Sequence, residues 1–243
     1  MSRTEVPPGL SARRLLRAAD RATLATRLAG GGGPALDAWP YASLVLLACD
    51  HDATPLLLIS DLAEHSRNIA GNARVSLLID GTAGRVDPLT GPRVTLLGTA
   101  ERADDGRLKA RFVARHPAAA LYADFGDFHL YRVAVTRGHF VAGFGRIHWI
   151  EAVDMAGTAV AELMTSEPEL IERLNRRAEA IARLATRGGA TGWRVTGVDG
   201  EGLDLRREGQ VARLDWPEPV ASAAAVEPAL DALLAATQAR RRP

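Results

Sequence analysis

Cysteine and lysine are almost absent from this sequence, which has 243 residues with Cys49 as its one cysteine and Lys109 as its one lysine. A single cysteine excludes an intrachain disulfide and a cysteine-rich zinc site. Cys49 follows the apolar run 44–48, and this position predicts a small buried side chain. The remaining basic residues are all arginine, a compositional bias from which no function follows.

Excess charge of either sign is also missing. Lys and Arg number 30 against 29 Asp and Glu, so no broad electrostatic footprint favours nucleic acid or an anionic membrane. Residues 1–10 lack an apolar stretch of signal-peptide length, and no segment approaches the roughly 20 apolar residues of a membrane span. We therefore expect a cytoplasmic protein with no nucleic-acid or membrane partner.

Several enzyme motifs are absent as well. The sequence has no Gly-x-Ser-x-Gly, no His-Glu-x-x-His, and no G-x-G-x-x-G opening a strand–helix unit. The glycine run 30–33, which precedes Pro34, is not followed by Gly-Lys-Ser/Thr, which argues against a phosphate loop. Asp104 and Asp105 are adjacent carboxylates at a predicted helix start, where capping is expected before acid–base catalysis.

Apolar segments of strand length dominate the first 150 residues, and turn-forming residues separate them. Two helices are predicted among these strands, one over 61–71 with Asp61 as N-cap and one over 105–115; a third, over 11–21, precedes them. Mainly antiparallel strands with inserted helices indicate a small closed barrel. The predicted strand segments are 42–49, 55–60, 74–79, 93–100 and the strand-rich stretch 128–149.

The pattern of predicted helices and strands changes after Ile150. A helix over 168–184, three short strands and a helix over 226–241 indicate a second α+β unit, with Asp199-Gly200 as a hairpin turn. We expect the boundary near 153–157 and assign domains of 11–151 and 152–243.

The run 59–68, Ile-Ser-Asp-Leu-Ala-Glu-His-Ser-Arg-Asn, places hydroxyls, a helix N-terminus and an arginine close to a strand end. Such a combination can bind a phosphate group. The same spacing also fits a capped surface helix with a solvated polar face. The residues alone leave both interpretations open.

Four pieces of the sequence together resemble a known family: Tyr41-Ala42-Ser43, the run 58–68, Arg74-Val75-Ser76-Leu77-Leu78 and Gly143-Phe144-Gly145-Arg146. They resemble the HugZ-type haem-utilisation family within the pyridoxamine-phosphate-oxidase-like split barrels. The resemblance covers about residues 18–149 and implies a six-stranded antiparallel split β-barrel, FMN as cofactor and a homodimer with a shared cleft. Carried over to matching positions, the implied cofactor-binding residues are Ser43, Ser60, His65, Ser66, Arg67, Asn68, Phe144, Gly145 and Arg146.

The same family includes haem binders, which implies haem as the alternative ligand. His129, His139 and His148 are the candidate iron ligands; His148 is favoured because it lies beside Arg146, which could pair with a propionate. The functional alternatives are an FMN-dependent oxidoreductase, a protein that binds or degrades haem without flavin, and a barrel that holds FMN only structurally. Pyridoxine-phosphate oxidation is not expected, because the full phosphate-ligand signature of that enzyme is absent.

The C-terminal segment resembles the small domain often attached to these barrels. Residues 171–178 fall where such domains commonly carry His-Met-Asn-x-Asp-His, and of its polar residues Asn175 alone is kept. A packing or dimer-supporting role is therefore expected for this domain.

Overall fold

The computed structural model describes residues 6–29, 36–185 and 191–239. The chain separates into two compact units, one ending at Ala156 and the other beginning at Gly157. The glycine run 30–33 lies outside the described residues, so its predicted lack of a phosphate loop stays a prediction.

The first unit is built around an antiparallel sheet of eight strands in the order β2-β1-β5-β6-β7-β4-β3, with β8 paired to β7. Six of them are long; β3 has two residues, and β8 has no neighbour in the sheet other than β7. The predicted mainly antiparallel α+β fold is confirmed. The strands are β1 (Arg21–Arg27), β2 (Pro40–Leu46), β3 (Ala48–Cys49), β4 (Pro55–Ser60), β5 (Arg74–Asp80), β6 (Arg93–Arg102), β7 (Phe128–Val141) and β8 (Ile147–Glu151).

Buried and exposed side chains alternate along these strands, and the buried side chains form the core. In β1 and β5, every second side chain is buried, and Leu24 and Leu77 are completely inaccessible to solvent. Because successive side chains of a strand point to opposite faces, one face of the sheet closes around the core and the other points outward. Cys49 is buried in this core, as predicted.

Four helices surround the sheet. α1 (Pro8–Ala18) packs on α4 (Ala152–Met155), which places the short α4 in the first unit. α2 (Glu64–Gly71) follows β4 and packs on β1, and α3 (Gly106–Arg115) covers a smaller apolar cluster with Phe112 at its centre. Asp105 caps α3 by accepting hydrogen bonds from the N–H groups of Arg107 and Leu108, as expected for a helix start.

The prediction that Asp61 caps α2 is wrong. The helix begins at Glu64, its N-cap is Ala63, and it has no side-chain cap. Asp61 instead forms an ion pair with Arg102 and accepts a hydrogen bond from His129. The Asp61 carboxylate is therefore bonded to residues that are distant in sequence, and it does not cap the helix that follows it.

The second unit is a three-stranded meander with helices on either side of it in sequence, as predicted, but the single helix predicted over 168–184 is two helices, and the first of them begins at Ala161. Its elements are α5 (Ala161–Asn175), α6 (Ala178–Ala185), β9 (Arg194–Asp199), β10 (Gly202–Arg207), β11 (Gln210–Asp215) and α7 (Val226–Ala239).

A buried charge cluster lies within this meander. Arg213 donates to Asp199 at 2.7 Å and to Asp204 at 2.9 Å, and its side chain is 3% exposed. Burial alone would lower the pKa of Arg213, but the two carboxylates outweigh it and raise that pKa. Pairing with two carboxylates makes a buried guanidinium tolerable here.

No helix in the described parts of the chain is long and apolar enough to cross a membrane.

Candidate functional site

The first turn of α2 is joined to β2 by a side-chain hydrogen bond. Ser43 Oγ lies 3.1 Å from His65 Nδ1. Burial lowers the pKa of His65 below its ordinary value, so the imidazole is neutral near pH 7. Two of the predicted cofactor residues, 22 positions apart in sequence, are thus in direct contact.

Three consecutive residues of this turn have buried polar atoms without a hydrogen-bond partner in the described part of the chain: Glu64 Oε1, His65 Nε2 and Ser66 Oγ. Buried atoms of this kind are uncommon in folded proteins. The Glu64 carboxylate also places a negative charge at the N-terminus of α2. That charge opposes the binding of a phosphate at this helix end, where the positive end of the helix dipole would otherwise favour it.

Arg67 and Asn68 are adjacent in sequence but have different environments. Arg67 is mostly exposed, and its guanidinium lies 3.2 Å from Glu64. Asn68 is completely buried; it donates to Thr26 Oγ1 at 3.0 Å and accepts from the N–H of Ala29 at 2.9 Å. Asn68 therefore ties α2 to the end of β1, and its donor and acceptor are both already engaged.

Ser60 lies at the end of β4 and donates to Asp127 at 2.5 Å. Next to it, Asp61 joins Arg102 and His129, and Arg102 Nε donates to the hydroxyl of Tyr131 at 2.9 Å. Burial would raise the pKa of Asp61, but the hydrogen bonds from His129 and Arg102 lower it. A cavity of about 410 Å³ adjoins this network, lined in part by Arg102, His129 and Lys109.

Sequence reasoning missed the Asp61 network. It listed His129 only as a free candidate ligand, whereas the ring is held by Asp61 through Nε2 at 2.9 Å. The strand register shows part of this network, because Arg102 and Tyr131 are opposite one another on β6 and β7. This neighbour relation cannot be read from a single sequence without knowing the strand pairing.

The Gly-Phe-Gly-Arg piece forms the tight turn between β7 and β8. Gly143 and Gly145 have positive φ angles of 131° and 76°, which explains the glycines. Phe144 is 92% exposed, and Arg146 donates to the carbonyl of Ala142 at 3.1 Å. The turn is at one end of the 14-residue strand β7, whereas Phe128 at the other end is paired with Ser60, next to α2.

Within one chain, therefore, the structure does not bring the two groups of predicted site residues together. Phe144, Gly145 and Arg146 are at the C-terminal end of β7, whereas Ser60 and the α2 residues are at its N-terminal end.

His148 is the second residue of β8 and is half-buried. It is opposite Phe140, a core residue, and so points to the core side of the sheet. In the described part of the chain, no hydrogen bond engages its ring. The imidazole lines a cavity of about 290 Å³ together with Pro7, Pro8, Gly9, Trp149, Ile150 and Asp154.

The outward face of the sheet has a row of aligned side chains across six strands. The ring of His139 lies 4.7 Å from that of Trp149, and Trp149 is 54% exposed. Leu44 at the far end of the row is 70% exposed, and Leu78 near its middle is 40% exposed. We call this row the outer row; it consists of Leu44, Thr23, Leu78, Thr95, His139 and Trp149, each opposite the next.

Comparison with known proteins identifies the family of this chain. The family model described as "CREG, beta-barrel" matches residues 9–156. The chloroplastic heme oxygenase HOZ of Arabidopsis thaliana is 36% identical over 110 residues, which cover 44% of this chain and 33% of that protein. The match therefore spans about a third of the length of this curated relative.

Two solved structures resemble the chain along nearly its whole length. Protein Atu2129 of Agrobacterium tumefaciens, of unknown function, is 30% identical with a TM-score of 0.77, covering 96% of this chain and 100% of that one. A heme binding protein from Mycobacterium smegmatis is 28% identical with a TM-score of 0.57, covering 97% and 99%. The chain belongs to the CREG β-barrel family, and its assignment to the HugZ-type, pyridoxamine-phosphate-oxidase-like group is confirmed.

Proposed function

We propose that this protein binds haem, with His148 as the iron ligand. The observation that carries the proposal is the imidazole of His148, half-buried and without a hydrogen-bond partner in the described part of the chain, beside a cavity with an apolar wall of Pro7, Pro8 and Ile150. A neutral imidazole nitrogen is a common axial ligand of haem iron. The cavity would take one edge or face of the porphyrin.

Arg146 would supply a charge partner for a propionate. It is exposed at the turn that leads into β8, two residues before His148. A guanidinium pairs with a carboxylate through charge-assisted hydrogen bonds. When bound, haem supplies iron-centred redox chemistry, and the chain's own residues would hold and orient it.

The relatives support the same ligand. The Mycobacterium smegmatis structure described as a heme binding protein is similar along 97% of this chain, and a heme oxygenase is similar over 110 residues. FMN has less support, because Glu64 puts a carboxylate at the start of α2, Arg67 is paired with that carboxylate, and Asn68 is already bonded to Thr26 and Ala29.

Haemin titration tests the proposal. We expect the Soret absorbance of the wild-type complex to saturate at one haem per chain, and His148→Ala to weaken binding by about tenfold or more, which corresponds to about 1.4 kcal/mol. His129→Ala and His139→Ala serve as matched controls and should bind as the wild type does. A wild-type protein that does not saturate would refute haem binding. Normal binding by His148→Ala would show that the ligand is another residue.

Haem degradation is the next question for the same complex. Because the Arabidopsis relative is described as a heme oxygenase, we propose that a reductant and air would destroy the bound haem. The measurement is the decay of the Soret band with ascorbate, with His148→Ala as control. A stable band in the wild-type complex would restrict the function to binding.

We also propose that the chain forms a homodimer through the outer row. Its exposed leucines and Trp149 form an apolar stripe on a sheet face, and such surfaces commonly mark interaction sites. A second copy would also supply the residues that one chain keeps at opposite ends of β7.

A further inference from the structure

A cavity of about 140 Å³ lies at the end of the barrel that α1 and α4 cover. Its wall comes from α1, the turn before β4, the strands β6 and β7, and α4. The lining residues with the largest apolar side chains are Leu16, Leu96, Val135 and Met155, and three of these four are buried. The cavity belongs entirely to the first unit and contains none of the residues proposed to bind haem.

The wall offers few polar groups to water. Asp52 and Thr54 have the two polar side chains of the lining, and the Asp52 carboxylate accepts from the N–H of Thr54 at 2.9 Å and lies 3.7 Å from Arg132. Asp52 and Thr54 are both half-buried, so their side-chain oxygens lie toward the solvent side of the cavity. The other seven lining residues have apolar side chains, so an apolar occupant is favoured.

The backbone is strained where it forms this wall. Ala53 has a φ of 68°, in the left-handed region that favours glycine, and its side chain is 5% exposed. Ala53 N–H donates to Asp50 O at 2.9 Å, which holds the turn in place. An alanine in this conformation keeps a methyl group on the wall, and strained residues of this kind concentrate at ligand sites.

One part of the wall can adapt to an occupant. Met155 is unbranched and flexible, and it packs directly on the backbone of Gly138, where an added Cβ would come within 2.7 Å of its sulfur. Because Gly138 has no side chain, Met155 has room to pack against its backbone. Small movements of Met155 would change the shape of the cavity without disturbing the strands.

We propose that this cavity is a binding site for a small uncharged apolar molecule, about the size of one aromatic ring. An engineered apolar cavity of about 150 Å³ takes up benzene, so a volume of 140 Å³ admits a ligand of that size. Ala156, which is exposed at the rim, and the half-buried Asp52 and Thr54 mark the side from which the ligand enters. The site shares no lining residue with the cavity beside His148.

The experiment uses the methionine methyl groups of the full-length protein, because the chain has three methionines, of which Met155 lines the cavity and Met164 lies in α5 of the second unit. With ¹³C-methyl methionine, benzene should shift the Met155 signal with a Kd on the order of 1 mM, while the Met164 signal stays fixed. Met155→Leu assigns the signal.

Filling variants decide the location. Ala152→Leu projects into the cavity, and Ala156→Leu blocks its rim from an exposed position that tolerates a larger side chain; each should weaken benzene binding at least about tenfold. Val153→Leu, on the exposed side of α4, is the matched control and should bind as the wild type does. A Met155 signal that does not move in folded wild-type protein overturns the proposal, as does unchanged binding in both filling variants.

Discussion

Ser43 Oγ and His65 Nδ1 lie 3.1 Å apart, and this contact links the sheet to the first turn of α2. Because Nδ1 is engaged and burial lowers the pKa of His65, the ring stays neutral with its Nε2 enclosed and without a partner in the described structure. Protonation of His65 would therefore destabilise the N-terminal end of α2.

Folding should become less favourable below about pH 6.5 because of His65. The unfolded chain takes up a proton there that folded His65 resists, so the free energy of unfolding is highest above this pH and falls as the pH drops toward the folded pKa. Urea unfolding of the wild type and of His65→Gln across this range measures the effect. Equal pH dependence in the two proteins would contradict the prediction.

Asn68→Ala should destabilise the protein by about 1–3 kcal/mol, because it leaves the buried Thr26 Oγ1 without its partner and removes the acceptor for the N–H of Ala29. Its neighbour provides the control: Arg67→Ala removes an exposed ion pair and should change stability by less than about 0.5 kcal/mol. Chemical denaturation measures both. Similar losses in the two variants would mean that Asn68 is not the anchor of α2.

The stability of a truncated first unit should depend on whether residues 152–156 are kept. A chain ending at Ala156 should fold and keep its haem site, since the first unit has its own core. A chain ending at Glu151 lacks Met155, which is buried in that core, and should be less stable by about 2–5 kcal/mol. Thermal melts of the two fragments make the comparison. If the longer fragment is unfolded, the first unit depends on the second.

The proposed homodimer should dissociate when Leu44 is replaced by Asp, because the apolar contact would then bury a charge at the end of the outer row. Leu121→Asp is the control, since Leu121 is 79% exposed but lies outside the sheet, between α3 and β7. Light scattering at micromolar concentration gives the mass. A wild-type monomer would remove the dimer proposal, and a dimer that persists in Leu44→Asp would move the interface elsewhere.

The strands with continuous or alternating apolar residues could be predicted from sequence. β4 and β5 were predicted within one residue of their observed ends. β1 was not assigned, because its residues 21–27 mix arginine, threonine and alanine and acquire their strand geometry from β2 and β5 on either side. Local propensity is a weak guide where neighbouring strands decide.

The candidate site was predictable in its residue types but not in its partners. Family resemblance pointed to Ser43 and His65, which do touch. It could not show that Arg67 is paired with Glu64 or that Asp61 belongs to Arg102 and His129, since these pairings depend on side-chain placement and on contacts 41 and 68 residues apart.

Asn175, the kept polar residue of the C-terminal motif, has a clear structural use. Its amide donates to the carbonyl of Val195 at 3.0 Å and accepts from the N–H of Val195 at 2.8 Å, as a peptide group of a neighbouring strand would. Glu167 likewise accepts from the N–H of Val198 at 2.9 Å. Both side chains come from α5 and bond the open side of β9, one of the two edge strands of the three-stranded sheet.

This arrangement protects the β9 edge of the second unit's sheet against pairing with another molecule. An edge strand with free N–H and C=O groups can recruit a strand from another molecule and start aggregation. Side chains that imitate a peptide group on β9 remove two of the positions where an incoming strand would bond. The arginine-rich sequence around Asn175 thus lacks the histidines of the family motif but keeps the residue that shields this edge from intermolecular pairing.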